Sequence, residues 1–317
     1  MSVANYISRE ELKSLSQVRP HLTAFAFIVD WAVIAAAIAV SVWAQSWIVY
    51  IISVIVIAGR QHALAVLIHD FAHYRFLKNK RLSEWIGDVF LAWPILITVN
   101  SYRTTHMEHH FHTNTEKDPD YVPRLSMKTY KFPMNLWFIM TALFGYLAAI
   151  TSVYDVLSLH TKKMSNSQDR LYVWARLGFY AVIGIVIGAL GIWQEFLFYW
   201  VVPFLTLFFG FNYVRGVAEH FSAMDYSSLE GGTRTVIPYL WERALFGPHN
   251  VNYHSEHHLY PGVPFYNLPE LHARLMDNPK YREVAHVTRG YSTGLLSEVL
   301  SDTYNRPAVM GERITTG

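Results

Sequence analysis

The sequence predicts an all-α membrane protein: four transmembrane helices in two hairpins, two interfacial segments, and a cytoplasmic cap lined by histidines. Three observations carry this prediction. Of 317 residues, 52% are hydrophobic and only 16% charged, too apolar a balance for an ordinary soluble chain. The apolar residues are also bunched, with no lysine or arginine between His21 and Gly59 or between Leu177 and Val214, the pattern of membrane-spanning helices. Finally, eight of the sixteen histidines fall in three short segments: His69-Asp70-Phe71-Ala72-His73, His106-Met107-Glu108-His109-His110 and His254-Ser255-Glu256-His257-His258.

Residues 1–20 are polar, without the apolar core of a cleavable leader, and read as a short cytoplasmic helix capped by Ser8. A first span covers 22–43, interrupted only by Asp30, and a second covers 47–69, with Ala44-Gln45-Ser46 as the turn and Trp43 and Trp47 as interfacial anchors. At about 1.5 Å per residue each is long enough to cross the hydrocarbon layer. Lys78, Lys80 and Arg81 follow at once; the positive-inside rule puts them, the first histidine segment and the N-terminus on the cytoplasmic side. Residues 81–102 carry Glu84, Asp88 and Pro94 and read as an interfacial or re-entrant segment.

Three apolar runs remain, at 134–156, 171–190 and 196–214. If all histidine segments face one compartment, an even number of spans separates His110 from His254. The run 134–156 is the weakest because Asp155 and other polar residues interrupt it, so it is assigned to the interface. Both outer turns, 44–46 and 191–195, then lack lysine and arginine. Residues 215–317 are soluble in character and complete the cytoplasmic part. No internal repeat or second domain is evident, and 1–317 reads as a single integral membrane domain.

A formal charge of +2 gives no reason to expect a nucleic-acid partner. The absence of cysteine excludes disulfides, iron–sulfur clusters and thiolate metal sites. Any metal is held by histidine and oxygen. On a helix, positions i, i+3 and i+4 share a face, so each segment aims its imidazoles at one point, and three converging faces make an all-nitrogen pocket for one or two transition metals. The expected ligands are His69, His73, His106, His109, His110, His254, His257 and His258. His220, at the end of the fourth span, is added on its location and on the resemblance described below. His112 lies about 200° around a helix from His110 and points away. His62, seven residues before His69, lies on nearly the same face but deeper in the membrane; it lines a substrate cavity or bonds to a neighbouring helix. His21, His160, His249, His272 and His286 carry no spacing signal. Carboxylates accompany the clusters: Asp70, Glu108, Glu219, Glu256, and Asp118-Pro119-Asp120. Asp70, Glu108, Asp120, Glu219 and Glu256 are expected to accept the far N–H of ligating histidines, with Asn250 joining them through a water.

A hydrolytic zinc site needs about three protein ligands and a general base, as in H-E-x-x-H; that motif is absent, and eight or nine ligands overfill one zinc. The paired E-x-x-H helices of soluble di-iron bundles are absent too, the one E-x-x-H being Glu283/His286. A two-metal, all-histidine site fits best, with iron as the metal whose redox chemistry justifies a place against the membrane.

The ordered boxes H-D-F-A-H, H-M-E-H-H, A-E-H and H-S-E-H-H resemble those of the membrane fatty acid desaturase and hydroxylase superfamily. Flanking pieces match as well: Thr113-Asn114, Asp118-Pro119-Asp120, Thr233-Arg234-Thr235, Asn250-Val251-Asn252-Tyr253, and Tyr260-Pro261-Gly262-Val263-Pro264 through Asn267-Leu268-Pro269. The resemblance covers roughly residues 45–275. It implies a non-haem di-iron centre held by the nine histidines, with O2 as co-substrate. Two electrons come from an external donor of ferredoxin, cytochrome b5 or rubredoxin type, and hydrogens are removed from an unactivated C–H pair of an acyl lipid in an apolar tunnel. Animal acyl-CoA desaturases carry asparagine four residues before the histidine that His220 matches, where this chain has Gly216, which bears on the coordination of one iron. The same boxes serve hydroxylases and ketolases of alkanes, sphingolipids or carotenoids. From another class, a membrane metal transporter or haem protein places its ligands within the bilayer rather than at or beyond the span ends.

Overall fold

The structure is a computed structural model describing residues 6–161 and 170–301, except for the side chains of 157–161. The side chain of His160 and the pair Lys162-Lys163 that closes the second interfacial run lie outside the described residues. The described residues are mostly helical and include four helices long and apolar enough to cross a membrane: Pro20–Ala44, Trp47–Ala72, Arg170–Leu190 and Trp193–His220.

Helix α1 (Arg9–Leu15) starts with a capping box between Ser8 and Glu11. Helix α2 (Pro20–Ala44) opens on a proline at its first turn and stops at Gln45, whose φ of 47° is left-handed. Helix α3 (Trp47–Ala72) then packs along α2. Asp30, the one charge in the first span, is buried and bonded to Arg60 of α3 at 3.0 Å, so it is neutralised by an ion pair as a charge at that depth requires. Phe25, Ile28, Trp43, Trp47 and Ile48 stay exposed on the outer surface, the face that fits lipid.

The two segments expected at the interface are each broken. Helix α4 (Lys80–Gly87) runs into a π-helical turn at Asp88–Ala92 and a 3-10 turn at Trp93–Ile95 containing Pro94. Leu96 is left-handed at φ 69°, and α5 (Val99–His112) starts afresh from a Thr98/Ser101 capping box, at 89° to the preceding arm. The expected segment 81–102 therefore ends inside α5, the helix that carries the second histidine segment. After the short α6 (Tyr121–Leu125), the run 134–156 is split into α7 (Leu136–Leu147) and α8 (Ile150–Thr161). These meet at 63° around Ala149, whose φ is 60°.

Helix α9 (Arg170–Leu190) buries none of its residues and is fastened along its first half. Tyr172 Oη donates to Asp88 Oδ2 at 2.5 Å and Tyr180 Oη to the Trp93 carbonyl at 3.0 Å. The fourth span starts with α10 (Trp193–Phe196), passes through π-helical turns at Leu197–Val201 and Phe204–Phe208 on either side of Pro203, and ends as α11 (Phe209–His220). Proline lacks the N–H that a regular ladder needs, and local widening is a common accommodation. The second and fourth spans run past the expected ends, 69 and 214, to Ala72 and His220.

The remainder adds one short two-stranded ribbon to an otherwise helical fold. Strand β1 (Arg234–Ile237) pairs in parallel with β2 (His286–Arg289). Around this ribbon lie α12 (Leu240–Leu245), α13 (His254–Leu259), α14 (Leu268–Asp277), α15 (Pro279–Val284) and α16 (Leu296–Leu300). Leu15 of α1 shares a buried cluster with Leu259, Leu271, Leu275 and Tyr281, so the N-terminal helix is seated against the C-terminal part.

Candidate metal centre

Four elements supply the histidines. His69 lies on the last turn of α3 with His73 just after it; His106, His109 and His110 lie on α5; His220 ends α11; and His254, His257 and His258 lie on α13. All nine come together in two groups. His69, His73, His106, His110 and His257 form one; His109, His220, His254 and His258 form the other, and in each group the ligand atoms lie within 4.8 Å of one another. The groups interleave along the sequence. On α5, His106 and His110 serve the first and His109 the second; on α13, His257 serves the first and His254 and His258 the second.

The nitrogen spacings test whether metal fits. Nε2 atoms approach at 3.0 Å between His73 and His106 and at 3.1 Å between His106 and His110. His110 and His257 approach at 2.8 Å. In the second group His109 lies 3.1 Å from His220 and 3.3 Å from His258, and His220 lies 2.7 Å from His254. Two nitrogens each about 2.1 Å from one ion stand about 3.0 Å apart in an octahedron and about 3.4 Å apart in a tetrahedron. Four of the six spacings match the edges of metal coordination polyhedra, and the two at 2.7 and 2.8 Å fall slightly short of them. Each neutral imidazole has one N–H, so so many ring nitrogens facing one another are not all satisfied by mutual hydrogen bonds.

Burial, and after it the neighbouring imidazoles, hold His106, His254, His257 and His258 well below the ordinary histidine range. The same causes push His110 down to about 2. Burial, then Arg75 and Arg103, lowers His73 to about 4. The rings are neutral and their lone pairs are available.

Outside the nitrogens, Asp118 lies 2.9 Å from His109 Nδ1 through both oxygens, which fixes that tautomer and leaves Nε2 for the centre. Its burial favours the neutral acid, but His109 and the amides of Asn114 and Asp120 outweigh this and hold the carboxyl below the usual range. Asn114, left-handed at φ 57°, donates to the Gly232 carbonyl at 2.6 Å. Glu219 Oε1 is 3.5 Å from His254 Nδ1 and 3.3 Å from Arg215 Nε. Thr113 Oγ1 is 3.3 Å from His258 Nδ1.

A family profile described as fatty acid desaturase matches residues 45–290. The chain belongs to the fatty acid desaturase family. This desaturase is therefore an oxidoreductase and a membrane protein. It is 32% identical over 296 residues to the dihydrorhizobitoxine desaturase of Bradyrhizobium elkanii, covering 88% of this chain and 82% of that protein. To the sn-1 oleoyl-lipid 12-desaturase of Synechocystis it is 27% identical over 230 residues, 66% of this chain and 63% of that one. To the sn-1 acyl-lipid omega-3 desaturase (ferredoxin) of the same organism it is 23% identical over 269 residues, 76% and 71% of the two chains.

Several carboxylates of the desaturase are placed otherwise than the sequence suggested. Glu108 points outward, with 62% of its side chain exposed and 3.8 Å from His112 Nε2, because it lies on the face of α5 opposite His106 and His110. Asp118, rather than Asp120, meets a cluster histidine; the Asp120 amide donates to Asp118 Oδ1 at 2.9 Å. Asp70 stands 4.0 Å from His69 Nδ1, beyond hydrogen-bond reach, and instead accepts from the Phe265 amide at 3.2 Å. Glu256 is buried but turns from the centre to Thr235, to His272 at 2.6 Å and to Tyr281 at 3.1 Å. Asn250 bonds Arg243 at 2.8 Å and the Phe265 carbonyl at 3.0 Å. His62 is buried, with Nδ1 2.7 Å from the Leu245 carbonyl, the bond to a neighbouring helix that was one of its two expected roles.

Sequence reasoning missed Arg234. This buried arginine donates to the carbonyls of Ala218 at 2.7 Å and Phe221 at 3.0 Å, to that of Ser222, and to Glu298 at 2.5 Å. It satisfies the orphan carbonyls at the end of α11 and so fixes the turn that carries His220. Its only signal was the flanking match at Thr233-Arg234-Thr235.

Proposed function

We propose that the chain is an O2-dependent desaturase of fatty acyl lipid, working through two iron ions held by the nine histidines. The observation that carries this is the division of the histidines into groups of five and four with nitrogen spacings that suit metal edges. When bound, the iron pair supplies O2 reduction to water, using two electrons from a donor and two from the C–H pair that becomes a double bond. The chain's own residues do the rest. Asp118 holds His109 in the ligating tautomer, Glu219 faces His254, and Arg234 holds the end of α11.

On this reading the spans form two hairpins with interfacial helices beside them. The single domain keeps all histidine segments on the cytoplasmic face, where an external one-electron donor of ferredoxin, cytochrome b5 or rubredoxin type delivers electrons. Asp70 and Glu256 serve by anchoring the segments around α13, Asn250 by holding the loop before it, and His62 by bonding the end of α12. The lipid-facing apolar surface and the acyl-lipid names of two relatives support the substrate class.

A second reading is favoured by the 32% identity to the dihydrorhizobitoxine desaturase: a substrate of that kind in place of an acyl lipid. Expression in a host whose lipids are profiled by mass spectrometry, with dihydrorhizobitoxine supplied in parallel, separates the two. A loss of two mass units in the lipid fraction supports acyl desaturation; the same loss in dihydrorhizobitoxine alone supports the second reading. A gain of sixteen mass units in either overturns desaturation in favour of hydroxylation.

A further inference from the structure

The loop that leads into α13 contains two successive residues in left-handed conformation, His249 at φ 49° and Asn250 at φ 59°. Neither is glycine; histidine and asparagine enter that region more readily than most side chains, and here two in succession are each held by bonds from their surroundings. Asn250 is gripped by Arg243 and by the Phe265 carbonyl. His249 is gripped from the membrane: its Nε2 donates to Asp30 Oδ2 at 2.7 Å, while Asp30 Oδ1 accepts from Arg60 at 3.0 Å. Asp30 is 1% exposed.

The neighbouring helix end is held by the same span. Arg60 Nη2 donates to the Ala244 carbonyl at 2.7 Å, and His62 Nδ1 lies 2.7 Å from that of Leu245. Two terminal carbonyls of α12 are thus capped by α3. Gly59 permits the approach, since a Cβ there would lie 3.3 Å from the Ala244 oxygen. His249 also lines a cavity of about 10 Å³ together with His69, His254 and His257, so the loop it sits on borders the centre directly.

We propose that Asp30, on the first span, is a positioning residue for the metal centre: through His249 it fixes the left-handed step that aims α13. The proposal rests on the two-metal reading. It makes an asymmetric prediction, because α13 supplies two of the four histidines in the second group, His254 and His258, but one of five in the first, His257. Loosening the loop therefore weakens the four-histidine site more. An ion pair that merely joined α2 to α3 would leave both sites alike.

The test is Co(II) titration of the metal-free, detergent-purified full chain, followed by its visible ligand-field bands. Each site is measured alone, the four-histidine site in a His73→Ala/His106→Ala/His110→Ala background and the five-histidine site in a His109→Ala/His220→Ala background, each of which leaves the silenced group two histidines. Adding His249→Ala is expected to weaken the four-histidine site about 10- to 100-fold, as loss of outer-shell support does, and the five-histidine site by less than about threefold. His249→Gln, which needs the same backbone but keeps a donor for Asp30, is expected to restore most of the loss. If His249→Ala does not fold, Asp30→Asn carries the same prediction at smaller amplitude. Equal weakening of both sites, or none at either, in a folded variant overturns the proposal. Failure of the otherwise unaltered chain to take up two equivalents of Co(II) would instead overturn the two-metal reading.

Discussion

At the scale of single residues, adjacent histidines serve different groups. His109 faces His220 and His258, whereas His110, its neighbour on α5, faces His106 and His257. His109→Ala and His257→Ala, one from each group, are expected to reduce turnover below detection while the protein remains folded. His112→Ala, on the exposed face beside Glu108, is expected to retain activity; parallel assays of the three variants with circular dichroism check this. Asp118→Asn keeps the shape of the carboxylate but removes its charge from His109 Nδ1. It is expected to lower metal affinity of the four-histidine group about 10- to 100-fold, read by metal titration. The convergence of eight of the nine histidines was legible because helical spacing survives in sequence, whereas His220 came from its place at the end of the fourth span and from the resemblance. Of the carboxylates, Glu219 was expected and faces His254, but adjacency to a histidine, as in Glu108, puts a side chain on another face, whereas Asp118 reaches His109 only through the turn at Thr113–Asp118.

Among the elements, the four long apolar runs were read to within about six residues at each end, because each lies within one span. The errors lie where backbone geometry changes without a strong sequence mark: the left-handed Leu96 and Ala149 that break the two interfacial runs, and the four-residue strands β1 and β2, whose pairing spans about fifty residues of chain. That ribbon is closed by α16. Glu298 accepts from Arg234 at 2.5 Å, lies 3.1 Å from His286 and accepts from Thr288 at 2.6 Å. Burial works against its charge, but His286, Arg234 and Thr288 outweigh it and lower the carboxyl to about 2. A carboxyl lower in the folded than in the unfolded chain stabilises the fold above its unfolded pKa. The contribution is therefore whole above about pH 4.5 and is lost as pH falls toward 2. Thermal unfolding between pH 6 and 3 is expected to show a steeper loss for the unaltered chain than for Glu298→Gln; equal slopes would deny the clamp its role.

For the whole molecule, the arrangement of spans follows from which ends carry chemistry. The second and fourth spans finish in His69 and His220, and α1, seated on Leu271 and Leu275, lies at that same end. One compartment for all three histidine segments required an even number of spans between His110 and His254, and the contacts of α1 with Leu271 and Leu275 place the N-terminal helix beside the C-terminal part. A chain with no cysteine suits single-cysteine labelling without background. Cysteines at Lys78 and Lys128 are expected to react only from the cytoplasmic side, and cysteines at Gln45 and Gln194 only from the opposite side. Labelling of Lys78 and Lys128 from different sides would require a further crossing between them, for which the bent pair Lys80–Ile95 and Val99–His112 is the candidate.

The central claim, that the nine histidines hold a two-iron centre for desaturation, is tested most directly by metal analysis of the purified, active protein. The account predicts about two irons per chain with no haem absorbance, lost together with O2-dependent product formation on chelation. Stoichiometric zinc, without iron and without any O2-dependent product, would contradict it.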